Sequence, residues 1–188
     1  MTIPPVCIFL DLEYCYPGMG EGAGRPTAAD QRQIVQIAAI KYDTIECKEL
    51  GALDLLVKPL FTPRVPIFFE KLTGISQVDI DARGIDLVNA LKHLEQFCEG
   101  ISIVTFNQDW YVIGQNYGYL ELPNPFSEFI RVKALLPGWG VDPDKYSSGT
   151  LHQAVGITMD GHVHNALHDV RSMSLAVSVL SRNHQNDR

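Results

Sequence analysis

Two acids, Asp11 and Glu13, stand two positions apart where the apolar run Val6-Cys7-Ile8-Phe9-Leu10 ends. Residues i and i+2 of a strand point to one face. An apolar run without alternation marks a strand buried on both sides. Two carboxylates side by side at the mouth of a core strand raise each other's pKa unless a positive charge sits between them, and a divalent cation meets that need. Three further candidates lie at element junctions: Asp109, beyond the run Ile101–Phe106, and His164 and Asp169, which bracket the start of the last helical pattern. Sheet folds collect their sites at strand ends and helix starts. Five helical residues turn through ~500°, which leaves His164 and Asp169 ~140° apart if both are helical. His164 therefore belongs on the preceding loop, with Asn165 as the helix N-cap, and Asp169 lies ~40° from Met173 on the core side. Four carboxylates together need cations. Two Mg²⁺ or Mn²⁺ ions make a hard-oxygen site of them, and such a pair, about 4 Å apart, clamps the attacking and leaving oxygens of a phosphodiester. A neutral histidine at the rim is suited to take a proton from the attacking water.

The elements that must position these groups follow from the patterning. Residues 5–11 read as the first strand, Ile34–Tyr42 as the second and Leu50–Val57 as the third, stopped by Pro59. Phe68–Ile75 reads as a short helix ending near Gly74. The clearest early helix spans residues 85–98, with Leu87, Val88, Leu91, Leu94 and Cys98 at helical spacing. A strand at Ile101–Phe106, a helix at Trp110–Leu120 and a short strand at Phe129–Leu135 follow. Ser148 reads as the cap of a short helix at Thr150–Val155. The last helix is expected over Ala166–Arg182, with Ala166, Val170, Met173, Val177 and Leu180 as its buried stripe and 184–188 as a tail. The segment Gly18–Gly24 reads as a flexible loop, since no Gly-Lys-Ser/Thr follows it. Three strands followed by helix–strand–helix alternation predict an α/β fold, a mixed sheet with helices packed on it, in one domain over 1–183.

Composition bounds the partners. The length suits one domain with a substantial core, and no apolar stretch approaches the ~20 residues that cross a bilayer. The start of the chain lacks a signal-peptide pattern, so an intracellular, cytoplasmic protein is expected. Four cysteines form no CxxC pair, which disfavours a disulfide framework or zinc knuckle; Cys7 and Cys98 read as buried thiols. The net charge of −7 argues against a broad nucleic-acid-binding surface. Setting aside the four candidate ligands among the 22 acids leaves 18 against 15 bases, a balance of −3.

Phe9-Leu10-Asp11-Leu12-Glu13-Tyr14-Cys15 resembles the first motif of the DnaQ-like DEDDh exonucleases. Thr105-Phe106-Asn107-Gln108-Asp109 is similar to the second, and His164-Asn165-Ala166-Leu167-His168-Asp169-Val170 to the third. The resemblance covers nearly the whole chain, including Leu72-Thr73-Gly74-Ile75-Ser76 and Leu151–Ile157, and leans toward the Eri-type and KapD-like exoribonuclease branch. It implies a ribonuclease-H-like fold, a mixed sheet of about five strands with helices on both faces. It further implies a two-metal 3′→5′ exonuclease releasing nucleoside 5′-monophosphates from single-stranded RNA or DNA. Metal ligation falls to Asp11, Glu13, Asp109 and Asp169, and the general base to His164. The backbone of Leu12 is expected near the terminal nucleotide, and related enzymes are often dimers. Three departures stand out. The second motif is one residue shorter than in the Eri-like branch, Gln36 replaces a frequent glutamate, and residues 14–16 are bulky where proofreading relatives carry Thr-Thr-Gly.

Other readings compete at single positions. Asp109 suits a helix N-cap. His162, His164 and His168 could form a zinc cluster, although zinc favours softer ligands; His162 and His168 read rather as exposed polar residues. Trp110 is a candidate base-stacking residue, while Tyr111, Tyr117 and Tyr119 read as core or groove wall. The competing function is a catalytically inactive nucleic-acid-binding module of the same fold.

Overall fold

Strand β1 (Val6–Cys15) is the spine of the molecule. In the computed structural model, which describes residues 2–22 and 30–186, it pairs antiparallel with β2 (Gln33–Asp43) on one side and parallel with β4 (Ile103–Thr105) on the other. The sheet is completed by β3 (Lys48–Leu56) beside β2 and β5 (Phe129–Arg131) beside β4, in the order β3-β2-β1-β4-β5. The mixed sheet expected from the element pattern is thus present. The spine is longer than expected: it continues through Cys15, so Asp11 and Glu13 lie within a paired strand and not at its mouth. Pairing with β2 is what extends it, and a register shift between Glu13 and Tyr14 marks the end of regular alternation.

Alternation on β1 sorts the core into two faces. Cys7 and Phe9 pack with Ala38, Ile40 and the stripe Ala166, Val170, Met173 and Val177 of α6 (Ala166–Asn186). Ile8, Leu10 and Leu12 pack on the other face with Leu91 and Leu94 of α3 (Leu87–Cys98) and Val112 and Ile113 of α4 (Asp109–Tyr119). The expected α6 stripe is buried at every position, Leu180 included. Two short helices, α1 (Ile67–Thr73) and α2 (Gln77–Arg83), cover the Cys15 end of β1 with Phe69, Ile75 and Ile80. The α2 helix is absent from the sequence reading, although Ser76 and Asp79 form a capping box at its start.

Several boundaries are corrected. The expected strand Phe129–Leu135 divides into β5 and a one-turn helix α5 (Val132–Leu135), because β4 has only three residues for a partner to follow. The expected helix near Thr150 is a 3-10 helix over Ser148–Val155, capped by Ser147 and not by Ser148. The α6 helix runs to Asn186, beyond the expected Arg182. Part of the glycine-rich loop, residues 23–29, lies outside the described residues, as do 187 and 188. Among the described residues no helix is long and apolar enough to cross a membrane.

Candidate metal centre

The alternation that places Phe9 against α6 carries Asp11 and Glu13 to the same face. There they meet Asp169, in the first turn of α6, which is 2 % exposed. Asp109 arrives from the other direction. It is the first residue of α4, with Gln108 in the cap position, so the N-cap reading does not apply. On the β4 side of β1, Ile8 donates its N–H to the Ser102 carbonyl. The N–H of Leu12 points the same way but lies beyond the last paired residue of β4. It donates instead to the Asp109 carboxylate, which also accepts main-chain N–H groups of Asn107 and of its own residue. Those bonds fix the one acid whose motif is a residue short.

His164 sits at the third position of a turn closed by the Asn165 N–H on the His162 carbonyl (3.1 Å), with φ +71°. Position i+2 of a type II turn requires this left-handed backbone, which favours Gly or Asn. The turn is anchored outside the site, where the His162 ring donates Nε2–H to the Leu72 carbonyl at 2.9 Å. Asn165 caps α6 as expected, accepting from the His168 N–H at 3.4 Å. One ligand atom each from Glu13, His164 and Asp169 lies within 4.8 Å of the others. The zinc alternative fails on position: the His162 ring is on Leu72, and His168 is buried, with Nε2 donating to the Gly149 carbonyl at 3.1 Å. The expected exposure of His168 is corrected with it, since it faces the 3-10 helix and not solvent.

The four acids perturb one another strongly. Burial raises Asp11 far above the carboxylate range, and the charges of Asp109, Asp169 and Glu13 add to the rise. Glu13 is pushed up to about 9, first by burial and then by Asp169 and Asp109. Asp109 reaches about 6 because burial outweighs its three N–H donors. Asp169 is also raised by burial, held back first by the Ser148 hydroxyl and then by the neighbouring His164 and His168. Glu13, at about 9, keeps its proton at neutral pH unless a cation replaces it, and the rise in the other three favours the same replacement. The donors fit Mg²⁺ or Mn²⁺: all are hard carboxylate oxygens, and Asp169 Oδ1 is buried with no hydrogen-bond partner among the described residues.

Sequence reasoning missed the part played by the groups behind this set. Ser148 donates to Asp169 Oδ2 at 3.1 Å. Gly149 packs its Cα against the same carboxylate, where any Cβ would collide with Asp169. Gln36 accepts the Ala166 N–H at 2.9 Å and donates to Asp54 Oδ1 at 2.8 Å. A glutamate there would face Asp54 with no proton to give, which accounts for this departure from the motif. Gly149 lies just before the helix expected at Thr150–Val155 and was not singled out, while Gln36 stood out only as a departure from the motif and Ser148 only as a cap. Trp110 is 42 % exposed beside Asp109, while Tyr117 is buried.

No protein-family model and no curated sequence relative matches this chain. Solved structures do. The nuclease domain of 3′hExo, described as a DEDDh family member and bound to rAMP, superposes with a TM-score of 0.76 at 16 % identity, over 95 % of this chain and 92 % of that one. A 3′-exonuclease solved for 3′-end-specific recognition of a histone mRNA stem-loop gives 0.79 at 16 %, over 95 % and 82 %. The E. coli ExoI–ssDNA complex gives 0.67 at 18 %, over 96 % of this chain and 41 % of that one. The chain thus has the ribonuclease-H-like fold of the DEDDh 3′ exonucleases, as its motifs implied.

Proposed function

We propose that this protein is a metal-dependent 3′→5′ exonuclease acting on single-stranded RNA or DNA. The observation that carries this reading is the convergence of Asp11, Glu13, Asp109 and Asp169 in one buried cluster with raised pKa values, beside His164. The four acids would hold two Mg²⁺ or Mn²⁺ ions, which supply charge stabilisation for the attacking and leaving oxygens of the scissile phosphodiester. His164, neutral, accepts the proton of the attacking water. The water oxygen bonds to phosphorus, the bond to the 3′-oxygen of the shortened strand breaks, and a nucleoside 5′-monophosphate leaves. The main chain of Leu12, between two of the acids, lies near the terminal nucleotide, and the exposed face of Trp110 stacks on a base. A small acidic protein holding a short 3′ segment suits trimming or degradation over processive proofreading.

The test is a 5′-labelled oligonucleotide incubated with Mn²⁺. The expected result is a ladder shrinking from the 3′ end and abolished by EDTA. An intact band with retained binding would establish the inactive binding module instead. Matched RNA and DNA oligomers with free and paired 3′ ends then define the substrate.

A further inference from the structure

The 3-10 helix at Ser148–Val155 sends one polar side chain into the metal centre, and that side chain belongs to none of the three motifs. We infer that Ser148 is a positioning residue that fixes the orientation of the Asp169 carboxylate toward a metal ion, with Gly149 as the wall against Oδ1. This inference rests on the two-metal reading above.

Ser148 Oγ donates to Asp169 Oδ2 at 3.1 Å, and Asp11 also lies within its hydrogen-bonding reach. Oδ2 is thereby occupied, while Oδ1 is buried and unpartnered among the described residues. The hydroxyl, together with the His164 main-chain N–H, makes the symmetric carboxylate a directed one. It also spans the gap between β1 and α6, the two elements whose acids must approach despite their mutual repulsion. Gly149 closes the other side: with a hydrogen in place of Cβ it packs against the carboxylate, and a Cβ there would collide first with Oδ1. The helix is fastened from behind. His168 Nε2–H donates to the Gly149 carbonyl at 3.1 Å, and the His152 N–H donates to Ser172 Oγ at 3.2 Å. Both partners lie on α6 with Asp169, so the 3-10 helix is tied to the element that carries the ligand. The capping work expected of Ser148 is done by Ser147 with Thr150, which leaves Ser148 free for the site.

Outer partners of metal ligands typically contribute 10–100-fold to metal affinity. The experiment is Mn²⁺ binding, without substrate, followed by electron paramagnetic resonance and calorimetry on wild type, Ser148→Ala and Ser148→Thr, with circular dichroism to verify the fold. Ser148→Ala is expected to weaken Mn²⁺ binding by ~10–100-fold. Ser148→Thr keeps the hydroxyl at a half-buried position and should restore affinity to within a few-fold of wild type. Gly149→Ala, which displaces the carboxylate from the other side, should weaken binding as well. Unchanged affinity in Ser148→Ala, or equal loss in the alanine and threonine variants, would overturn the role of the hydroxyl and leave the two-metal reading intact. A wild-type protein that binds no Mn²⁺ would overturn both.

Discussion

His164 combines a reactive side chain with a backbone that its residue type disfavours. A left-handed conformation costs an L-residue about 1–2 kcal/mol, and the turn anchored by His162 holds it there. Backbone of this kind concentrates where function overrides stability. His164→Ala is expected to slow cleavage by ~10²–10⁴-fold with 3′-end binding retained. His164→Gly should be as inactive, yet more stable than His164→Ala by about 1 kcal/mol, read from chemical denaturation of the two variants side by side. A rate within a few-fold of wild type in either would remove the base role. Asp11→Asn should abolish cleavage while leaving the metal-free protein at least as stable as wild type, because it deletes one member of a repelling cluster. Calorimetric melting in EDTA tests that outcome.

At the scale of elements, Gln36 links the sheet to α6 by accepting the Ala166 N–H and donating to Asp54. Gln36→Glu keeps the acceptor but sets two carboxylates face to face. It is expected to cost about 1–3 kcal/mol, a fall in melting temperature of several degrees. The same elements show what the sequence could reveal. The three motifs were legible because each is local: an apolar run with two acids, a strand followed by an acid, a histidine before a helix. The α6 stripe was legible because its period is fixed by helix geometry. The extent of β1 was hidden, since two acids after an apolar run read as its end, and only the pairing with β2 carries the strand past them. His168 was misjudged because its partner is a carbonyl on a helix distant in sequence, and no local pattern announces such a bond. Ser148 was legible as a cap by type, but Ser147 beside it won that position. The one-residue-short second motif left Asp109 open, and the N–H of Leu12 beyond β4, with those of Asn107 and of Asp109 itself, holds it in place.

Across the whole molecule, the cluster makes stability depend on pH in an uncommon sense. In the unfolded chain these acids lose their protons near their ordinary values, 3.8 for Asp and 4.5 for Glu; in the folded chain Asp109 holds its proton to about 6 and Glu13 to about 9. The folded state therefore binds more protons between these limits, and its stability falls as pH rises. The melting temperature in EDTA is expected to decline from pH 5 to pH 9, less steeply in Glu13→Gln, and the gain from added Mn²⁺ to grow over the same interval. A flat profile in EDTA would count against the raised values. The sheet order carries a separate consequence. Asp11 and Glu13 lie on the first strand of the sheet, Asp109 begins a middle helix, and Asp169 is on α6, the last helix described. Contacts this distant along a chain form late in folding. A ribosome that has made β1 to β5 has produced an incomplete centre, with no His164 and no Asp169. On the proposed reading, a nascent chain would therefore hold no complete metal centre until α6 is made and docks against β1.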